Sequence, residues 1–129
     1  MDFRIDTSSG VAPYLQLVQQ IKQGLRLGWL QVGDRLPTVH EVAATAAVNP
    51  NTVLKAFREL EHEGLATGRP GQGTFITRSL SQLTPAAYGV LLRRLERWIA
   101  AARDAGLDDD GLADVVAVAL RAARSEETA

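Results

Sequence analysis

The chain has 129 residues, enough for one domain or one domain with a short appendage. Hydrophobic residues make up 46% and charged residues 22%, a balance that supports folding and argues against disorder. There is no cysteine, which excludes disulfides, thiolate metal sites and a cysteine nucleophile, and the net charge is −1.

Taken in chain order, residues 1–12 carry little pattern. Phe3 and Ile5 alternate with charged residues and allow a brief edge strand, and Thr7 to Gly10 read as a loop. Pro13 suits a first helical turn. Tyr14, Leu17, Val18, Ile21 and Leu25 follow at spacings of three and four, so residues 13–28 form an amphipathic helix with Gly28 as its C-cap. Thr38, with Glu41 three residues on, is a capping box, and Val39, Val42, Ala43 and Ala46 make the buried stripe of a second helix. Asn49 caps a third, with Pro50 at its first position, Val53, Ala56, Phe57 and Leu60 facing inward, and Gly64 ending it. Residues 65–67 and 74–77 are short β candidates around the Gly-rich tip 68–73. A linker at 80–83 leads to Thr84-Pro85, a cap for a helix whose apolar positions run from Tyr88 to Ala102. Gly106 closes that helix, Asp108 caps a last one, and residues 125–129 should fray.

These elements predict a mostly α fold with a small β-hairpin (α+β): a winged helix-turn-helix over residues 1–79 and a two-helix dimerisation tail over residues 80–129. In a helix-turn-helix the second helix enters the DNA major groove and presents its N-terminal residues to base edges. Here those residues are Asn49, Asn51 and Thr52, with Leu54 on the flank. An Asn amide pairs with adenine, and Thr or Leu methyls meet the thymine methyl. Lys55 and Arg58 stand further along the same face and would reach phosphates. Thr38, at the start of its helix, suits a phosphate too, and His40 in the first turn points away from the core stripe. Arg69, Gln72 and Gly73 at the hairpin tip could enter the minor groove. Each group also has a plainer reading: Asn49 as a cap, Lys55 and Arg58 as a solvated face, the tip as a turn. Their joint order along the chain favours double-stranded DNA as partner.

Residues 1–79 hold eight Lys/Arg against seven Asp/Glu, and residues 80–129 six against eight. Such a chain must gather its cations on one face, so its DNA affinity should be modest and salt-sensitive. No catalytic constellation, Walker motif or dinucleotide fingerprint is present, and neither the two histidines nor Asp108–Asp110 has metal-ligand spacing. No catalytic residue, metal or cofactor is therefore expected. No apolar run approaches the roughly 20 residues that span a bilayer, and no signal-peptide apolar region is present, which points to the cytoplasm. The competing class is a winged-helix protein-interaction module.

The tail carries more apolar surface than two helices can bury against each other. Leu91, Leu92, Leu95, Trp98 and Ile99 on the first helix, and Leu112, Val116 and Leu120 on the second, form a candidate homodimer interface; the alternative is that they complete a monomeric core.

Several stretches together resemble the winged-helix domain of GntR-family transcriptional regulators over about residues 13–77. These are Gly33-Asp34-Arg35-Leu36-Pro37-Thr38, Val48-Asn49-Pro50-Asn51-Thr52-Val53, Ala56-Phe57-Arg58-Glu59-Leu60 and Gly71-Gln72-Gly73-Thr74-Phe75-Ile76. The Asn-Pro-Asn-Thr turn and short tail are similar to the YtrA subfamily. The resemblance implies a cytoplasmic homodimeric repressor on an inverted-repeat operator, often before an operon that includes a membrane transporter. Carried over, the family's DNA contacts fall on His40, Asn49, Asn51, Thr52 and Arg69 to Gly73. Two departures matter. His40 stands where the family usually has Arg, which weakens that contact or makes it pH-dependent, and Pro50, which fits the subfamily, stands where many relatives have Arg. The short tail leaves no room for a large effector-binding domain, so an effector is unknown.

Overall fold

The computed structural model describes residues 1–128. Its elements are α1 (Pro13–Arg26), α2 (Val39–Ala46), α3 (Pro50–His62), β1 (Ala66–Arg69), β2 (Gly73–Ile76), α4 (Pro85–Asp104) and α5 (Asp109–Thr128). They form two units, Met1–Tyr88 and a second beginning at Gly89. The division expected at 79/80 falls inside the first unit, because the chain after the hairpin is tied to it. Ser81 Oγ donates to Arg26 O at the end of α1 (2.6 Å), and Arg78 Nη2 donates to Glu63 O at the end of α3 (2.9 Å). Both bonds satisfy carbonyls that a helix end leaves without partners.

Local chemistry sets the helix boundaries. Thr38 Oγ1 accepts from Glu41 N (3.1 Å), Asn49 Oδ1 from Asn51 N (2.8 Å), Thr84 Oγ1 from Ala87 N (3.1 Å) and Asp108 Oδ1 from Gly111 N (2.8 Å). All four caps are those expected. The α2–α3 turn passes through Ala47 at φ 55°, the one non-glycine positive φ among the described residues. The core joins one face of each of the first three helices: Leu17, Ile21 and Leu25, then Val42, then Val53, Phe57 and Leu60. Leu65 and Ile76 of the hairpin region and Phe3, Leu30 and Leu36 of the loops complete it.

Three expectations are corrected. The segment at Phe3–Ile5 pairs with no strand. Its backbone is bonded instead by side-chain amides of α1. Gln20 bonds both the N–H and C=O of Arg4 (3.0 and 2.6 Å), and Gln16 does the same for Asp6 (2.8 and 2.9 Å). One helix turn separates the two glutamines, so their amides grip alternate residues of an extended chain as a neighbouring strand would. The hairpin tip is also shorter than expected. Arg69 pairs with Gly73, leaving residues 70–72 as the loop, closed by Gln72 N donating to Arg69 O (2.9 Å). Finally, α5 stays helical through Thr128 rather than fraying from residue 125, and Ala129 lies outside the described residues.

The other edge of β2 is covered as well. Leu36 N donates to Thr74 O (2.8 Å), Ile76 N to Asp34 O (2.8 Å) and Gly33 N to Ile76 O (2.9 Å), so residues 33–36 lie antiparallel to β2 with Arg35 opposite Phe75. This pairing was not expected. It protects an edge strand and fixes the hairpin to the start of α2. In the second unit, the chain turns at Gly106 (φ 104°), and Leu107 packs where a Gly111 Cβ would stand.

Candidate nucleic-acid interface

The solvent face of α3 is the one its periodicity predicts. Val53, Ala56, Phe57 and Leu60 are buried, whereas Asn51, Leu54, Lys55, Arg58 and His62 are exposed. The cap divides the work of the two asparagines. Asn49 Oδ1 accepts from Asn51 N–H, which ties that oxygen to the helix start and leaves the amide N–H donors outside the cap. Bidentate pairing with adenine needs both amide atoms, and Asn51, exposed with its side-chain amide outside the cap, can offer both. Thr52 is half-buried, and its N–H is held by Asn49 O (2.9 Å). Lys55 Nζ lies over the ring of Tyr14, 4.0 Å from its centroid. His40 is exposed in the first turn of α2.

A second group gathers at the hairpin. Thr38, Arg69, Gln72 and Gly73 line one shallow, open depression together with Arg35, and no carboxylate lines it. Gly73 (φ 121°) makes room there: a Cβ on it would stand 3.1 Å from Arg35 Nε. The Arg69 guanidinium lies over Phe75, 4.5 Å from the centroid. Two arginines, a helix start and the glycines Gly71 and Gly73 at the tip make a place for a phosphate or a narrow groove. His40 and the α3 residues do not line this depression.

Sequence reasoning missed two residues. Arg35 reaches the hairpin only through the pairing of residues 33–36 with β2, which no local pattern announces. Tyr14 falls on the buried stripe of α1 by spacing and packs there, yet it is only half-buried and carries Lys55 on its ring.

In the tail, Leu91, Leu92, Leu95, Val116 and Leu120 are exposed, and Trp98 and Ile99 are half-buried. Leu112 differs: it is buried. Leu95 and Trp98 of α4 and Val115, Val116, Ala119 and Leu120 of α5 line an apolar depression. Among the described residues, no helix is long and apolar enough to cross a membrane.

A family model for bacterial regulatory proteins of the gntR family matches residues 13–76. The HTH-type transcriptional repressor YtrA of Bacillus subtilis (strain 168) is 37% identical, over 74% of this chain and 88% of that protein. Among solved structures, YtrA from Sulfolobus acidocaldarius, a GntR-family transcription factor, has a TM-score of 0.56 at 27% identity, over 78% of this chain and 99% of that one. The AraR DNA-binding domain in complex with operator ORE1 has a TM-score of 0.52 at 25% identity, over 57% of this chain and 89% of that one.

Proposed function

The chain belongs to the gntR family of bacterial regulatory proteins, and on that premise we propose that it is a cytoplasmic homodimeric repressor reading an inverted-repeat operator through α3. As in its relatives, the work is DNA-binding transcriptional regulation and not enzymatic catalysis. The observation that carries the reading is the start of α3. A Pro50-initiated, Asn49-capped helix presents Asn51 and Lys55 on one exposed face, while its other face is locked in the core. Asn51 and Thr52 read bases, with Asn49 and Leu54 beside them. Lys55 and Arg58 hold phosphates, as do Thr38 and His40 at the start of α2, and Arg69, Gln72 and Gly73 meet the adjacent backbone or minor groove. Two copies joined through the tail would set two such helices roughly 34–36 Å apart, matching half-sites one turn apart. By its subfamily resemblance, the operator precedes an operon that includes a membrane transporter.

The test is a mobility shift on the promoter of its own gene, repeated across a salt series. Retarded DNA that is released steeply as salt rises is expected. No retardation at low salt would sink the proposal and favour a protein-interaction module.

A further inference from the structure

Lys55 has a carboxylate within helical reach and does not use it. Glu59 stands one turn further along α3, at the spacing where a Lys–Glu pair forms on a helix surface, yet the ion pairs among the described residues are Lys22–Glu63 and Arg103–Asp109. The Lys55 ammonium instead sits 4.0 Å over Tyr14. The ring is itself fixed, because Tyr14 packs against the core at the start of α1.

The difference matters electrostatically. A carboxylate would hold the ammonium and cancel its charge. An aromatic face holds it through the ring quadrupole and leaves the full positive charge in place. The ring occupies one side of the ammonium, and its remaining N–H donors stay open to solvent or to a phosphate oxygen. A Lys side chain gives up rotamer freedom when it is pinned to a phosphate, and one already resting on a ring gives up less. In a chain of net charge −1, this keeps a scarce cation both ordered and charged.

We infer that Tyr14 is a positioning residue for DNA binding, whose ring presets Lys55 for a backbone phosphate beside α3. The inference rests on the DNA-binding reading above. Arg69 over Phe75 repeats the arrangement on the hairpin.

A double-mutant cycle on the full-length chain tests it, with binding measured on promoter and random DNA across a salt series. Tyr14→Leu should weaken both by about two- to ten-fold, the ordering cost of one long side chain that the ring no longer prepays. Tyr14→Phe, which keeps the ring, should restore the loss. Lys55→Ala should weaken both DNAs and lower the salt slope by about 1, and adding Tyr14→Leu to it should cost nothing more. In the unbound protein, the Lys55 side-chain methylene protons should be shifted upfield by the ring current, and Tyr14→Leu should abolish that shift. This readout does not depend on any change in stability. Three results overturn the inference: Tyr14→Phe losing as much as Tyr14→Leu, which would make the hydroxyl the DNA contact; a Tyr14→Leu loss that persists beside Lys55→Ala; or no ring-current shift. If the unaltered chain binds no DNA at all, the DNA-binding reading itself fails and takes this inference with it.

Discussion

Lys22 Nζ lies 2.5 Å from Glu63 Oε1, tying the middle of α1 to the residue that caps the end of α3. A carboxylate so late in a helix opposes the helix dipole, and the sequence offers no reason for it. The pair supplies one: it clamps the far end of α3 to α1. The Lys22 hydrogen bond holds the Glu63 carboxyl below its ordinary value of 4.5. A carboxylate with a lowered folded-state pKa stabilises fully above its unfolded value and loses that contribution as pH falls through the folded one. Glu63→Gln should therefore cost a few tenths to about 1 kcal/mol at pH 7, with the gap from the unaltered protein narrowing below about pH 4.5. Urea unfolding of both proteins at pH 7 and in acid measures this; a gap that widens in acid would contradict it.

Two backbone positions should respond to substitution with opposite signs. Ala47 holds a left-handed conformation (φ 55°) in the α2–α3 turn, where a Cβ costs roughly 1–2 kcal/mol. Ala47→Gly relieves that strain but gives the unfolded chain more freedom, so a net gain of about 0.5–1 kcal/mol is expected. Gly28 is the reverse case. It sits at φ 80°, and a Cβ there would stand 2.3 Å from Leu83 O, a backbone atom of the chain that caps α1. Gly28→Ala should lose about 2 kcal/mol or more. Denaturant midpoints decide both, and a neutral Gly28→Ala would mean that the segment after the hairpin yields freely.

Much of this fold was legible because it is written locally. Thr38, Asn49, Thr84 and Asp108 each cap a helix through a bond to a residue two or three positions away, so sequence alone placed four helix starts. The buried stripes of α1 to α3 likewise follow from spacing. What escaped depends on partners far along the chain. The Gln16 and Gln20 amides replace a strand for the N-terminal segment, and no strand propensity encodes that. Residues 33–36 contain Gly, Asp and Arg, a poor strand composition, yet β2 recruits them. A helical wheel put Lys55 on the solvent face of α3, but it cannot say that a ring from α1 stands beside it.

Arg35 and Asn51 should separate affinity from sequence preference. Arg35 lies beside Arg69 in the carboxylate-free depression at the hairpin, so Arg35→Ala should weaken promoter and random DNA alike and lower the salt slope by about 1. Asn51→Ala should instead remove roughly 1–3 kcal/mol from the preferred site, leave random DNA nearly unchanged and keep the slope. Selection from a randomised DNA pool should return a relaxed consensus for Asn51→Ala and an unchanged one for Arg35→Ala. Equal losses on both DNAs for both variants would remove this division of roles.

The tail offers the sharpest test of assembly. Leu95 is exposed and lines the apolar depression with Trp98, Val116 and Leu120, whereas Leu112 is already buried. If a second copy covers the exposed stripe, Leu95→Asp places a carboxylate in a dry interface, where an unpaired charge costs several kcal/mol. Light scattering should then show a monomer, and operator affinity should collapse, because one copy reaches one half-site. The same substitution in a monomeric tail would leave Leu95 in water and change almost nothing. Leu112→Ala is the internal contrast. It removes a buried side chain from the tail itself, so helicity should fall by circular dichroism along with any dimer. A Leu95→Asp protein that keeps its mass, its helicity and its operator affinity would move the interface away from this face of α4.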